Sequence, residues 1–183
     1  CSLSFSFGEQ HVTTSIVFTF VGADKTGLVE TLSNTVSEHH GNWLESRMSH
    51  LAGNFAGIAR ISVGSDQADQ LKDALIRASS DELTISMRDD NSSAGEKSLQ
   101  NASLNLIGND RPGIVKELSS ALASLHINVM EMNTNVTSAP MTADPLFEAT
   151  ALIQIPQSVN LADLSDRLDD IGNQLDVDIS LES

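Results

Sequence analysis

VGADKTGLVETLSNTVSEHHGNWLES, residues 21–46, is followed 86 residues later, without a gap, by IGNDRPGIVKELSSALASLHINVMEM, residues 107–132. Gly22 falls on Gly108, Asp24 on Asp110, Lys25 on Arg111, Gly27 on Gly113, Val29 on Val115, Leu32 on Leu118, Ser33 on Ser119, Asn42 on Asn128 and Glu45 on Glu131. Turn, cap and core residue types coincide together, which marks an internal repeat and divides the 183 residues into two units.

Outward from the repeated stretch, each unit reads as strand, helix, strand, strand, helix, strand. Before the first copy, Ile16, Phe18 and Phe20 alternate with Val17, Thr19 and Val21, the period of a strand with two distinct faces. GADKTG breaks that strand, and Asp24 is expected as the N-cap of a helix carrying Leu28, Val29, Leu32 and Val36. Gly41 is expected to end the helix in a left-handed conformation. An extended segment follows from Asn42 to about Ala52, then a hairpin turn at Gly53-Asn54 and a strand over residues 55–63. Ala68, Leu71, Leu75 and Ala78 recur at helical spacing, and residues 83–87 form the closing strand.

The same order returns after residues 88–100, RDDNSSAGEKSLQ, which have no apolar period and read as an exposed linker. Ala102, Leu104 and Leu106 repeat the inward set of the first strand. Asp110 is expected to cap the next helix, with Pro112 in its first turn and Ile114, Val115, Leu118, Ala121, Leu122 and Leu125 as its buried stripe. Residues 138–145, SAPMTADP, lengthen the second hairpin. Leu161, Leu164, Leu168 and Ile171 line the last helix, and Val177, Ile179 and Leu181 alternate in the last strand.

The fold class is therefore α+β: two ferredoxin-like βαββαβ units, each a four-stranded antiparallel sheet with both helices on one face. The expected division is residues 12–88 for the first domain, 89–100 for the linker and 101–183 for the second domain. Residues 1–11 form either a tail or an extra strand, since Leu3, Phe5 and Phe7 alternate with serines. The uncovered sheet face carries Val17, Val21, Ile58 and Ile107, which suggests that the units pair within the chain or across a homo-oligomer.

A net charge of -15 and a pI of 4.4, with ten scattered Lys and Arg, argue against direct binding to nucleic acid or to an anionic membrane. No apolar run approaches the roughly 20 residues of a spanning helix. The single cysteine, Cys1, permits no internal disulfide, which suits a reducing, cytoplasmic setting, and its place at residue 1 suggests a processed start.

The turn between first strand and first helix is the candidate site in each unit, because free N–H groups and the positive end of the helix dipole suit a carboxylate. Gly27 and Gly113 let a ligand approach, and Asn42 and Asn128, entering the second strand, are expected to reach the same region. A small amino acid fits such a site. The same residues equally suit a purely structural role as caps, turn formers and bridges. His39 and His40 are adjacent, so on a helix they point about 100° apart and do not chelate one metal. No catalytic residue, cofactor or metal is expected. Met130 and Met132 read as core or interface filler.

Asn109-Asp110-Arg111-Pro112-Gly113-Ile114 followed by Asn128 resembles the first loop and second strand of the ACT domain family, where Asp-x-Pro-Gly precedes the helix. The first copy, Asp24-Lys25-Thr26-Gly27-Leu28 with Asn42, has Thr26 in place of the proline. Two such units without a catalytic domain resemble the glycine cleavage system transcriptional repressor group. The resemblance implies a non-enzymatic regulator of glycine cleavage or amino-acid metabolism that senses a small amino acid such as glycine. It further implies action through a protein partner such as a DNA-binding activator, with ligand pockets between paired units. The alternative is a structural protein–protein interaction module without a small-molecule ligand.

Overall fold

The computed structural model describes residues 12–90, 99–139 and 143–182. The chain divides into two compact units. The first contains β1 (Thr13–Ala23), α1 (Leu28–Glu38), β2 (Asn42–Leu51), β3 (Asn54–Gly64), α2 (Ala68–Ala78) and β4 (Leu83–Asp89). The second repeats the order with β5 (Leu99–Asn109), α3 (Ile114–Ser124), β6 (Asn128–Ser138), β7 (Pro145–Pro156), α4 (Leu161–Leu175) and β8 (Val177–Glu182). Each sheet is antiparallel, ordered β2-β3-β1-β4 and β6-β7-β5-β8. The central strands are thus β1 and β3 in the first unit and β5 and β7 in the second, and β1 and β5 are the strands that lead into the repeated turn.

Strand alternation fixes one core per unit. Ile16, Phe18 and Phe20 are buried with Leu32, Ile61 and Leu71, while Thr19 and Val21 on the other face are exposed. Ala102, Leu104 and Leu106 repeat this with Ile114, Leu118 and Leu122. Fully burying one such Leu, Ile or Phe contributes about 1.5–3 kcal/mol, so a register slip of one residue would forfeit several of these at once. Phe18 also meets the Trp43 ring edge to face at 5.6 Å. Not every periodic apolar residue is inside: Val29, Val115 and Leu161 are exposed, as is Met130, while Met132 packs against the core. Val29 and Val115 immediately follow the inward-facing Leu28 and Ile114, and one step along a helix turns a side chain about 100° away.

The ends of the elements differ from the sequence expectations in four respects. Asp24 and Asp110 do not cap their helices; the N-cap positions are Gly27 and Gly113, and no side chain caps either helix. The left-handed residue after α1 is His40, not Gly41. Gly41 is required for space instead, because a Cβ there would meet Val36 Cγ1 at 2.8 Å and Leu71 Cδ2 at 3.0 Å. The β2–β3 turn uses Ala52 and Gly53, both with positive φ (50° and 76°), as a two-residue mirror-image turn demands. The aperiodic linker is shorter than its composition suggests, because β4 runs through Asp89 and β5 opens at Leu99.

The second hairpin is longer than the first: Ser138 pairs with Pro145, where Leu51 pairs with Asn54. Residues 140–142 of that extension, and residues 1–11 with their expected extra strand, lie outside the described residues.

Candidate functional site

Each βα turn begins where a central strand leaves the sheet. In the first unit the Asp24 amide donates to the Gly53 carbonyl (3.0 Å), which ties the turn to the tip of the β2–β3 hairpin. In the second the Asp110 amide donates to Pro145 O (2.9 Å), the equivalent place on the β6–β7 hairpin. These backbone bonds, not capping by the carboxylates, hold the aspartates. Asp24 Oδ2 lies 3.4 Å from His50 Nε2, both side chains about half exposed.

The basic residue of each turn reaches toward the chain just ahead of the last strand of its unit, Lys25 to the loop before β4 and Arg111 to the C-terminal turn of α4. Lys25 Nζ pairs with Glu82, and an Arg111 N–H donates to the Gln174 carbonyl at 3.4 Å. Both are exposed contacts, so each contributes at most about 1 kcal/mol. Thr26 and Pro112 occupy the step before the glycines, with Pro112 exposed and its fixed φ narrowing the conformations of the second turn.

Gly27 (φ 92°) and Gly113 (φ 100°) hold a backbone that side-chain-bearing residues rarely adopt. Their carbonyls start the helices, accepting from the Thr31 and Glu117 amides at 2.9 Å each. The two turns differ in the space beside the glycine. A Cβ at Gly27 would find Glu30 Oε2 at 4.0 Å, whereas one at Gly113 would meet nothing within 4 Å. Ile114 then enters the core while Leu28, its counterpart, is half-buried. Helix starts without a side-chain cap offer the amides of the first turn, and their dipole, to an anion.

Asn42 and Asn128 do not join the turns of their own units. Asn42 pairs with Ser62, and Ser62 with Ser15. From Ser15 to the end of β1 at Ala23 is eight strand steps, about 26 Å at about 3.3 Å per residue. Asn128 stands likewise against Gln154 and Asn101, at the far end of β5 from Asn109 and Asp110. The helix carries the chain back along the sheet, so the second strand starts where the first one started. Asn128 Nδ2 is instead directed at Met130 Sδ, 3.7 Å away. Asn109 ends β5 against Leu146, adjoining the turn.

The neighbours of the turns that sequence reading misses are His50, Glu82, Pro145 and Gln174. No local pattern marks them, because each arrives from a different element. Gly22 and Gly108 have structural reasons: a Cβ would meet Glu82 O at 2.6 Å and Val177 Cγ1 at 2.4 Å respectively.

The adjacent histidines are accounted for by the helix end. His40 takes the left-handed position and His39 Nδ1 lies 2.9 Å from Thr35 O. Among the described residues no group of three or more His, Cys, Asp or Glu is placed to hold a metal ion, and no helix is long and apolar enough to cross a membrane.

Sequence models of the ACT domain match residues 14–88 and residues 96–178, one on each βαββαβ unit. The chain belongs to the ACT domain family.

Solved structures extend the ACT likeness to the whole tandem. An unknown protein from Galdieria sulphuraria is 27% identical, with a TM-score of 0.84 over 93% of this chain and 98% of that one. A protein provisionally described as a glycine cleavage system transcriptional repressor is 18% identical, with a TM-score of 0.70 over 93% of this chain and 97% of that one; at that identity the likeness is one of fold. No curated protein matches the chain. The tandem ACT organisation supports a regulatory role.

Proposed function

We propose that this tandem ACT protein is a non-enzymatic regulator that binds a small amino acid, glycine or one of similar size, at a βα turn and acts through a protein partner. The observation that carries the reading is the duplicated turn itself. Twice, a left-handed glycine opens a helix that no side chain caps, leaving the first-turn amides to a carboxylate. The turn over Asp110, Arg111, Pro112, Gly113 and Ile114 is the stronger of the two, since it has the proline and open space beside the glycine. Asp24, Lys25, Thr26, Gly27 and Leu28 form the weaker one.

Asn42 and Asn128 stand too far from the turns of their own units and enter such a site only from another unit, of this chain or of another copy. Likeness to a protein provisionally described as a glycine cleavage system transcriptional repressor supports a role in controlling glycine cleavage or amino-acid metabolism. In that role the partner is a DNA-binding activator and the location cytoplasmic. Ligand bound only to the folded, assembled state stabilises it by about 2.7 kcal/mol at one hundred times the dissociation constant.

Thermal unfolding against a panel of amino acids tests the reading. A rise in midpoint with glycine or a similarly small amino acid at millimolar concentration is expected, and its loss in Gly113→Val. The competing interaction-module reading is favoured by the exposed Val21, Ile58 and Ile107 on the outer sheet faces. That reading gains if no amino acid shifts the midpoint while a partner still binds Gly113→Val.

A further inference from the structure

The faces of the two sheets turned away from the helices are not equivalent, although the strands beneath them repeat. Register places Arg47, Arg60 and Arg88 on the outer face of the first sheet, with Glu45 and Asp90 beside Arg60, and with Glu82, one residue before β4, paired with Lys25. Arg60 lies 3.0 Å from Glu45 and 3.6 Å from Asp90, so both carboxylates are engaged by one arginine. Exposed Arg47 and Arg88 remain, and this face is net positive in a protein of net charge -15.

On the second sheet the same register brings Glu131, Glu148, Asp178 and Glu182 to the outer face. No Lys or Arg stands among its described residues. The substitutions between repeats are what separate the signs: Arg47 corresponds to Asn133, Arg60 to Leu152 and Arg88 to Glu182. Both faces also expose apolar side chains near their centres, Val21 and Ile58 on the first, Ile107 and Leu152 on the second.

We infer that the outer sheet face of the first unit is a docking surface for the outer sheet face of the second unit in another copy of this chain. Matching a face with itself is disfavoured in both cases, because arginines would meet arginines or four carboxylates would meet four. Only the mixed pairing sets Arg47 and Arg88 against the acidic face while removing Val21, Ile58, Ile107 and Leu152 from water. Area agrees. A four-stranded face, with strands about 4.8 Å apart, presents roughly 500 Å². One such contact buries about 1,000 Å² in total, at the lower bound of a specific interface, and two reciprocal contacts bury about 2,000 Å², which suits a stable dimer.

Charge-reversal pairs test the assignment in the full chain, with association measured by sedimentation equilibrium at low and high salt. Wild type is expected to dimerise, more weakly at high salt. Arg47→Glu with Arg88→Glu is expected to lower association at least tenfold, and so is Glu148→Lys with Asp178→Lys. All four positions are exposed or half-exposed on strand faces, and circular dichroism checks that each variant folds. Mixing the two variants is expected to restore the dimer as a heterodimer, since each supplies the face the other needs. A monomeric wild type, or variants that associate as wild type does, would overturn the proposal. So would a mixture that stays monomeric while the chain carrying all four reversals recovers wild-type stability, because that result places the pairing within one chain.

Discussion

His40 and His126, 86 residues apart, hold the same left-handed backbone at the ends of α1 and α3, with φ of 59° and 57°. Each helix closes identically around them. The His40 amide donates to Ser37 O (3.0 Å) and the next amide, of Gly41, to Val36 O (2.8 Å). In the second unit His126 donates to Ala123 O and Ile127 to Leu122 O, both at 3.0 Å. Glycine usually occupies this position because a Cβ is strained there.

Replacing the strained residue should therefore stabilise. His40→Gly and His126→Gly are each expected to raise stability by about 0.5–1 kcal/mol, relief of left-handed strain exceeding the entropy added to the unfolded chain. Urea unfolding of the single and double variants checks this; a midpoint lowered in both would contradict it.

Gly108 is expected to be the least replaceable residue of the second turn region. An added methyl would lie 2.4 Å from Val177 Cγ1, so Gly108→Ala should cost about 2–3 kcal/mol, as overpacking in a closed site does. Gly108→Ala combined with Val177→Ala should recover only part of that loss in the same unfolding measurement, because the contact with Cγ1 is removed while Cβ at 2.8 Å and Cα at 2.9 Å stay in place.

Gly113→Ala separates conformation from contact. Space is open at Gly113, so any destabilisation, expected near 1–2 kcal/mol, comes from its φ of 100°. The amino-acid-induced rise in unfolding midpoint proposed above should shrink by most of its size in this variant and by much less in Gly27→Ala. Isothermal titration of the two variants with glycine distinguishes the turns.

Asn160 is the N-cap of α4, its side-chain oxygen accepting from the Ala162 amide at 3.0 Å. Asn160→Ala is expected to cost about 1 kcal/mol, and Asn160→Asp far less, because a carboxylate accepts the same bond and favours the helix dipole. Thermal denaturation of the pair measures it.

The sequence by itself determined the repeat, the order of elements and which face of each central strand is buried. Ile16, Phe18 and Phe20, or Ala102, Leu104 and Leu106, state their side of the sheet through a period of two that no distant contact can alter without exposing all three. Only the tertiary structure decided what surrounds the turns. Asp24 and Asp110 look like caps because aspartate before a helix usually is one, yet the backbone of Gly27 and Gly113 opens the helices and the aspartates bond to hairpin tips. Asn42 and Asn128 follow their helices closely in sequence, but a helix antiparallel to its strand returns them to the far end of the sheet. Periodicity is a property of neighbours along the chain, whereas the partners of a turn come from elements tens of residues away, and only packing brings them there.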